Sequence, residues 1–129
     1  MKLDDTFGIH EQALKLRAQR AEVLAGNIAN SDTPGYKARD FDFKQMLKQQ
    51  VEQSPRLQVT NRRHIQTETG IVPPGMMGYR IPSQPSLDGN TVDSQREHTA
   101  YAANALEYQA SLRFLGGSIQ KLKLAIKGQ

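Results

Sequence analysis

Apolar residues recur in the first thirty positions with a seven-residue step: Phe7, Leu14, Ala21 and Ile28, with Ala18 and Ala25 four residues after two of them. That spacing keeps one stripe along a helix, and the pattern predicts an α-helix over about residues 5–30. A second series, Ile9, Leu16 and Val23, has the same step but starts two residues later. Two residues turn the chain by about 200° at 3.6 residues per turn, which puts the second stripe on the opposite side. A surface helix normally has a single apolar face, so two opposed stripes predict a helix packed from both sides.

The C-terminal segment repeats the device. Tyr101, Tyr108, Leu115 and Leu122 step by seven, and Ala105, Leu112, Ile119 and Ile126 each follow four residues later. The eight positions form a candidate packing seam on a helix over 94–127. Ser94-Gln-Arg-Glu97 matches a capping box at its start, and Lys121, Lys123 and Lys127 lie in the last turns, where cations oppose the helix dipole. Gly116-Gly117 interrupts the pattern and predicts a bend or a close helix contact.

All six prolines fall between Pro34 and Pro85, so the helix breakers are confined to the middle, residues 31–92. There Asp40 to Gln53 predicts a short helix using Phe43, Met46, Leu47 and Val51, and Leu57-Gln-Val-Thr60 a short strand. Gly70 to Asn90 reads as extended loop closed by a turn at Asp88-Gly89-Asn90. Asn30 to Gly35 is a helix stop followed by a Pro-Gly turn in which Gly35 takes φ > 0. Helices of about 26 and 34 residues span about 39 and 51 Å, against a radius of gyration near 14 Å for a compact chain of this length. The expected fold is mainly α: one elongated domain over 1–129. Its long N- and C-terminal helices pair as a coiled-coil-like rod, and a loop-rich middle holds a short helix and short β strands. A helix pair offers little core, so neighbouring subunits are expected to supply part of the stability.

Composition agrees. Only 37% of the 129 residues are hydrophobic and 6% aromatic, with charged residues at 23%. The absence of cysteine excludes a disulfide scaffold, a thiol nucleophile and thiolate metal sites. No apolar run approaches the ~18–20 residues of a membrane span, and the start MKLDDTFG is unlike a cleavable secretory signal. The net charge of +4 raises nucleic acid or an acidic membrane as partners. The excess is spread thinly, however, and Arg62-Arg63 is the sole basic doublet.

No catalytic set emerges. His10, His64 and His98 lack metal-ligand spacing, and the serines and glycines lack nucleophile-elbow or phosphate-loop contexts. Asp40 and Asp42 read as a polar turn and helix entry rather than an acid–base pair. No enzyme activity, cofactor or metal is expected.

The segment Ala25 to Lys37, AGNIANSDTPGYK, resembles the N-terminal signature of the bacterial flagellar rod, hook and hook-associated axial proteins. Its carriers are Asn27, Ile28, Ala29, Asn30, Thr33, Pro34, Gly35 and Tyr36. Thr33–Phe43, Tyr79-Arg-Ile-Pro82 and Gln84–Asp93, with the chain length and both end helices, are similar to proximal rod proteins of that family. The resemblance implies a structural subunit of the flagellar basal-body rod, exported through the flagellar type III apparatus without a cleaved signal. Its assembly would transmit torque across the periplasm. It also implies the partners: other copies of the chain, other rod proteins, the ring–rod junction protein FliE and the membrane (MS) ring, with no nucleic acid and no small-molecule substrate. The two apolar series of each end helix are then the expected subunit and helix-packing interface. The alternative from the residues alone is a small basic adaptor that binds nucleic acid or an acidic membrane through its C-terminal helix.

Overall fold

The computed structural model describes residues 3–52, 76–82, 84 and 86–128. These form α1 (Leu3–Ala29), β1 (Arg39–Asp40), α2 (Phe43–Glu52), β2 (Gly78–Tyr79) and α3 (Ser94–Lys127). The mainly helical fold and the pairing of the end helices agree with the sequence reading. The strand read at Leu57–Thr60, the Arg62-Arg63 doublet and His64 lie outside the described residues.

α1 and α3 are antiparallel partners. Near the end of α1, Asn27 bonds to Glu97 at the start of α3. Ten residues earlier on α1, Arg17 pairs with Glu107, ten residues later on α3. At 1.5 Å per residue the helices are about 40 and 51 Å long. Continuing the same register sets the start of α1 opposite about residue 121, so the last turns of α3 project beyond it.

α2 covers another side of α1. Asp42 starts it: its carboxylate accepts from the N–H groups of Lys44 (3.0 Å) and Gln45 (3.3 Å), as a helix-starting aspartate does. Met46 and Phe41 then pack on Leu16, with Val23, Phe43, Leu47 and Met77 around them. Val51 stays exposed. This cluster, at roughly 1.5–3 kcal/mol for each fully buried large side chain, is the apolar core. It lies against the middle of α1, around Leu16, where the chain between the helices folds back over it.

Three sequence expectations come out differently. The capping box at Ser94 does not form. Asp93 is the N-cap, its side chain accepting from the Arg96 N–H, and Glu97 turns inward and is fully buried. The basic and amide groups waiting there outweigh what its carboxylate would gain from a free backbone N–H. At Gly116-Gly117, α3 continues as one helix, and an added Cβ at either position would meet nothing within 4 Å. No close approach within the described chain explains the pair. Part of the stretch read as loop is instead strand: β2 pairs antiparallel with β1, Arg39 opposite Tyr79 and Asp40 opposite Gly78.

Candidate assembly site

The signature segment 27–37 folds as the C-terminal stop of α1 and a turn, and Asn27, Asn30, Thr33 and Tyr36 each have a geometric task in it. Asn30 closes the helix: its Nδ2 donates to the Gly26 carbonyl (2.8 Å), and its Oδ1 accepts from the Thr33 hydroxyl (3.1 Å). Thr33, Pro34, Gly35 and Tyr36 make the expected Pro-Gly turn, with the Tyr36 N–H on the Thr33 carbonyl (3.3 Å) and Gly35 at φ 73°. Asn27 is fully buried and uses its whole amide. Nδ2 donates to the Arg39 carbonyl (2.7 Å) and to Glu97 (3.1 Å), while Oδ1 accepts from the Arg39 N–H (3.1 Å) and the Tyr36 hydroxyl (3.3 Å). The side chain thus pairs with β1 as a neighbouring strand's backbone would. Leucine or aspartate cannot reproduce that pattern of donors and acceptors.

The segment 86–93 clasps this turn from the other side of the sequence. The buried Asn90 donates through Nδ2 to the carbonyls of Asn30 (3.0 Å), Ser31 (2.9 Å) and Thr33 (2.8 Å), filling the acceptors that the end of α1 leaves open. Gly35 N–H donates to the Asp88 carbonyl (2.8 Å), Thr91 N–H to the Tyr36 carbonyl (3.0 Å), and Ala38 N–H to the Thr91 hydroxyl (2.8 Å). Gly89 supplies the φ of 77° that the turn at 88–90 needs, and it packs on Gly35, where an added Cβ would be in ordinary contact at 3.7 Å from the Gly35 Cα. Two of the segments that carry the family resemblance, 25–37 and 84–93, are therefore the two halves of one joint.

Beside the joint lies a balanced set of charges. Asp40 accepts from Arg20 through both oxygens (3.2 Å each) and from Arg80 (2.5 Å). Arg80 also pairs with the buried Glu97. Burial alone would raise the Asp40 pKa, but hydrogen bonds from Arg20, Arg80 and the Phe41 N–H, with the Arg20 charge, outweigh it and hold the carboxyl below its usual value. Arg80 is the fulcrum: its N–H also donates to the Ala38 carbonyl (2.9 Å), so one residue ties β2 to β1 and to α3. Sequence reading passed over Arg20 and Arg80 and gave Glu97 a capping role. Pairs 40 and 17 residues apart leave no periodic trace.

The structure distributes the interface candidates unevenly. On α1, Leu16 is fully buried, Val23 packs on the core, and Phe7, Leu14, Ala21 and Ile28 are half-buried, while Ile9 is exposed. On α3 the buried positions are Glu97 and Asn104, neither of them in the eight-residue series. Tyr108, Leu115 and Leu122 are half-buried, whereas Tyr101, Ala105, Leu112, Ile119 and Ile126 are exposed, the last at 84%. The side of α3 turned to α1 is thus rotated from the apolar seam toward polar residues. Asn104 donates to the Arg17 carbonyl (2.9 Å), a buried amide in a helix seam of the kind that fixes register. Arg17 stacks its guanidinium on Phe43 (4.0 Å) and so joins α1, α2 and α3. Among the described residues no group of acidic, histidine or cysteine side chains could hold a metal, and no helix is long and apolar enough to cross a membrane.

The stretch from α1 through the clasped turn carries a known pattern. Residues 7–37 match the family model described as flagella basal body rod protein. Curated relatives extend the likeness to nearly the whole chain. The chain is 50% identical over 125 residues to the flagellar basal body rod protein FlgB of Escherichia coli (strain K12), covering 92% of this chain and 91% of that protein. It is 47% identical over 131 residues to FlgB of Aeromonas hydrophila, covering 100% and 98%, and 48% identical over 126 residues to FlgB of Yersinia enterocolitica, covering 92% and 91%. The chain belongs to the FlgB family of flagellar basal body rod proteins.

Proposed function

We propose that this protein is a non-enzymatic structural subunit of the proximal rod. It assembles through its terminal helices with other copies and other rod proteins, and its stack transmits torque across the periplasm. The near-full-length identity to rod proteins carries the reading. The fold adds the mechanical part: a long helix pair whose end is locked by a joint of hydrogen bonds and ion pairs, with apolar side chains of α3 left for neighbours to cover. FliE and the membrane ring are the proposed neighbours at the base, and the flagellar type III apparatus the proposed export route. A chain without disulfides suits passage in unfolded form. The interface is proposed to use Leu14, Ala21 and Ile28 on α1 with Leu112, Ile119 and Ile126 on α3.

The test is deletion and complementation. Cells lacking the protein should be without hooks, and the chain should co-purify with isolated basal bodies. Normal hooks in the deletion strain would overturn the reading. Salt-sensitive retention on heparin or anionic vesicles by a chain absent from basal bodies would favour the basic-adaptor alternative instead.

A further inference from the structure

Among the described residues, one side of the α1–α3 pair is unfilled. A groove of about 330 Å³ runs between the helices, lined by Ala18 and Ala21 of α1 and by Tyr101, Asn104, Ala105 and Tyr108 of α3. Its floor is made of small side chains, so it is a hole rather than a ridge. Asn104 is only 2% exposed, yet among the described residues its Oδ1 accepts no hydrogen bond, and the Nε–H of Arg17, also on the groove, has no acceptor there. A buried polar atom without a partner is costly, and native structures leave few of them. The apolar strip continues from the groove along the same flank of α3 through Leu112 and Ile119, 44% and 42% exposed.

The distal part of α3 has the complementary features. It carries large apolar side chains that its own chain leaves exposed: Phe114 at 69%, Leu124 at 50% and Ile126 at 84%. After Glu107 the sequence has Arg113, Lys121, Lys123 and Lys127 and no carboxylate. By helical spacing the exposed Glu22, one turn beyond Ala18, falls on the same side of α1 beside the groove lining, a rim able to meet such cations. Gln120 and the lysines also supply donors of the kind Asn104 lacks.

We infer that the groove between α1 and α3 is the seat for the distal third of α3, about residues 112–127, from a second copy of this chain. Large apolar side chains enter the alanine-floored hole, and the cationic end lies along the Glu22 rim. This rests on the rod-assembly reading and specifies which surfaces of two copies meet.

The native chain contains no cysteine, so introduced pairs report cleanly. Two tagged full-length versions are expressed together in motile cells, one carrying Ala18→Cys and the other Ile119→Cys or Ile126→Cys. Basal bodies are isolated after mild oxidation. The expected result is a disulfide-linked dimer of the two tagged chains for at least one pair. It should be absent when Lys48→Cys, exposed on α2, replaces Ala18→Cys. Assembly of both tagged chains into basal bodies without that dimer overturns the inference and leaves the rod reading standing, as does a crosslink from position 18 to a different protein. Absence of the chains from basal bodies overturns the rod reading. In that case the same pairs are oxidised in concentrated purified protein, where no dimer would overturn the groove assignment too. Ala21→Trp provides a second arm. It fills the groove, should leave helix content and thermal unfolding close to the parent, and should abolish the crosslink. An undiminished crosslink would equally contradict the assignment.

Discussion

At the residue level the joint depends on side chains that cannot be exchanged for near neighbours. Asn27 donates to Glu97 and Arg39 and accepts from Arg39 and Tyr36. Asn27→Asp removes both donors and sets a second carboxylate beside the buried Glu97. The expected loss is about 2–4 kcal/mol, the range for an unpaired buried polar or charged group, seen as a lower urea midpoint with an unchanged slope. The deficit against the parent should shrink between pH 7 and pH 4, because protonation restores a donor. A deficit that does not change with pH would show that the introduced carboxylate escapes to water. Asp40 gives the opposite case in the parent chain. Its pKa is depressed because hydrogen bonds from Arg20 and Arg80 outweigh its burial. Its contribution is therefore present above the unfolded value of about 3.9 and is lost as pH falls through the lower folded value. Urea midpoints of the parent should fall below about pH 4, and Asp40→Asn should start lower and lose less over that window. Parallel pH curves for the two would refute the assignment. These tasks were only partly visible in the sequence. The Pro-Gly turn at Gly35 and the helix entry at Asp42 follow from local chemistry, because turn and cap preferences act over three or four residues. The roles of Asn27, Arg80 and Glu97 depend on partners 12 to 70 residues away. No local rule registers them.

At the scale of elements, both end helices were legible from their period, since a seven-residue step and a lack of proline are properties of the element itself. What the period could not give was the rotation of α3 about its axis. Eight apolar positions were expected to face the partner helix. Instead Glu97 and Asn104 lie buried against α1, and most of the apolar series is half-covered or exposed. Periodicity identifies a face but not which of several neighbours covers it. The reason here is that polar anchors with defined partners, Asn104 on the Arg17 carbonyl and Glu97 on Asn27, fix the angle that apolar contacts alone leave loose. This separates two kinds of α-helical substitution. Leu16→Glu places a charge in the buried cluster with Phe41 and Met46 and should cost several kcal/mol, leaving the isolated chain largely unfolded. Leu112→Glu alters a side chain that is 44% exposed and should change the thermal midpoint of the isolated chain by no more than a few degrees. Yet it should fail to support hooks, because the position belongs to the flank proposed to meet a neighbour. Circular dichroism melts read the first effect and swimming assays the second. Full motility with Leu112→Glu would remove that flank from the interface.

Across the whole molecule, order is concentrated at one end. The strand pair, the clasp of Asn90 on the end of α1 and the four-charge set lie toward where α1 ends and α3 begins, and the apolar cluster reaches from there to Leu16 at the middle of α1. Toward the other end the helix pair has Leu115 and Leu122 only half-covered, and α3 outruns α1 altogether. Helical hydrogen bonds there have little tertiary burial to sustain them, and isolated helical turns are marginal in water. In the proposed rod role such a subunit has a rigid head and a tail that gains its order from the stack, which suits the proposed export in unfolded form. The consequence can be read residue by residue in amide hydrogen exchange of the dilute monomer. The slowest amides should be those of about Leu16–Asn27 and Glu97–Asn104, exchanging through global opening, with protection falling along α3 and vanishing beyond about residue 121, where the partner helix ends. Concentrating the chain, or incorporating it into basal bodies, should slow the distal amides most and the head amides little. Uniform protection through Lys127 in the dilute monomer would mean that the helix pair is self-sufficient, and that neighbours add attachment but not order.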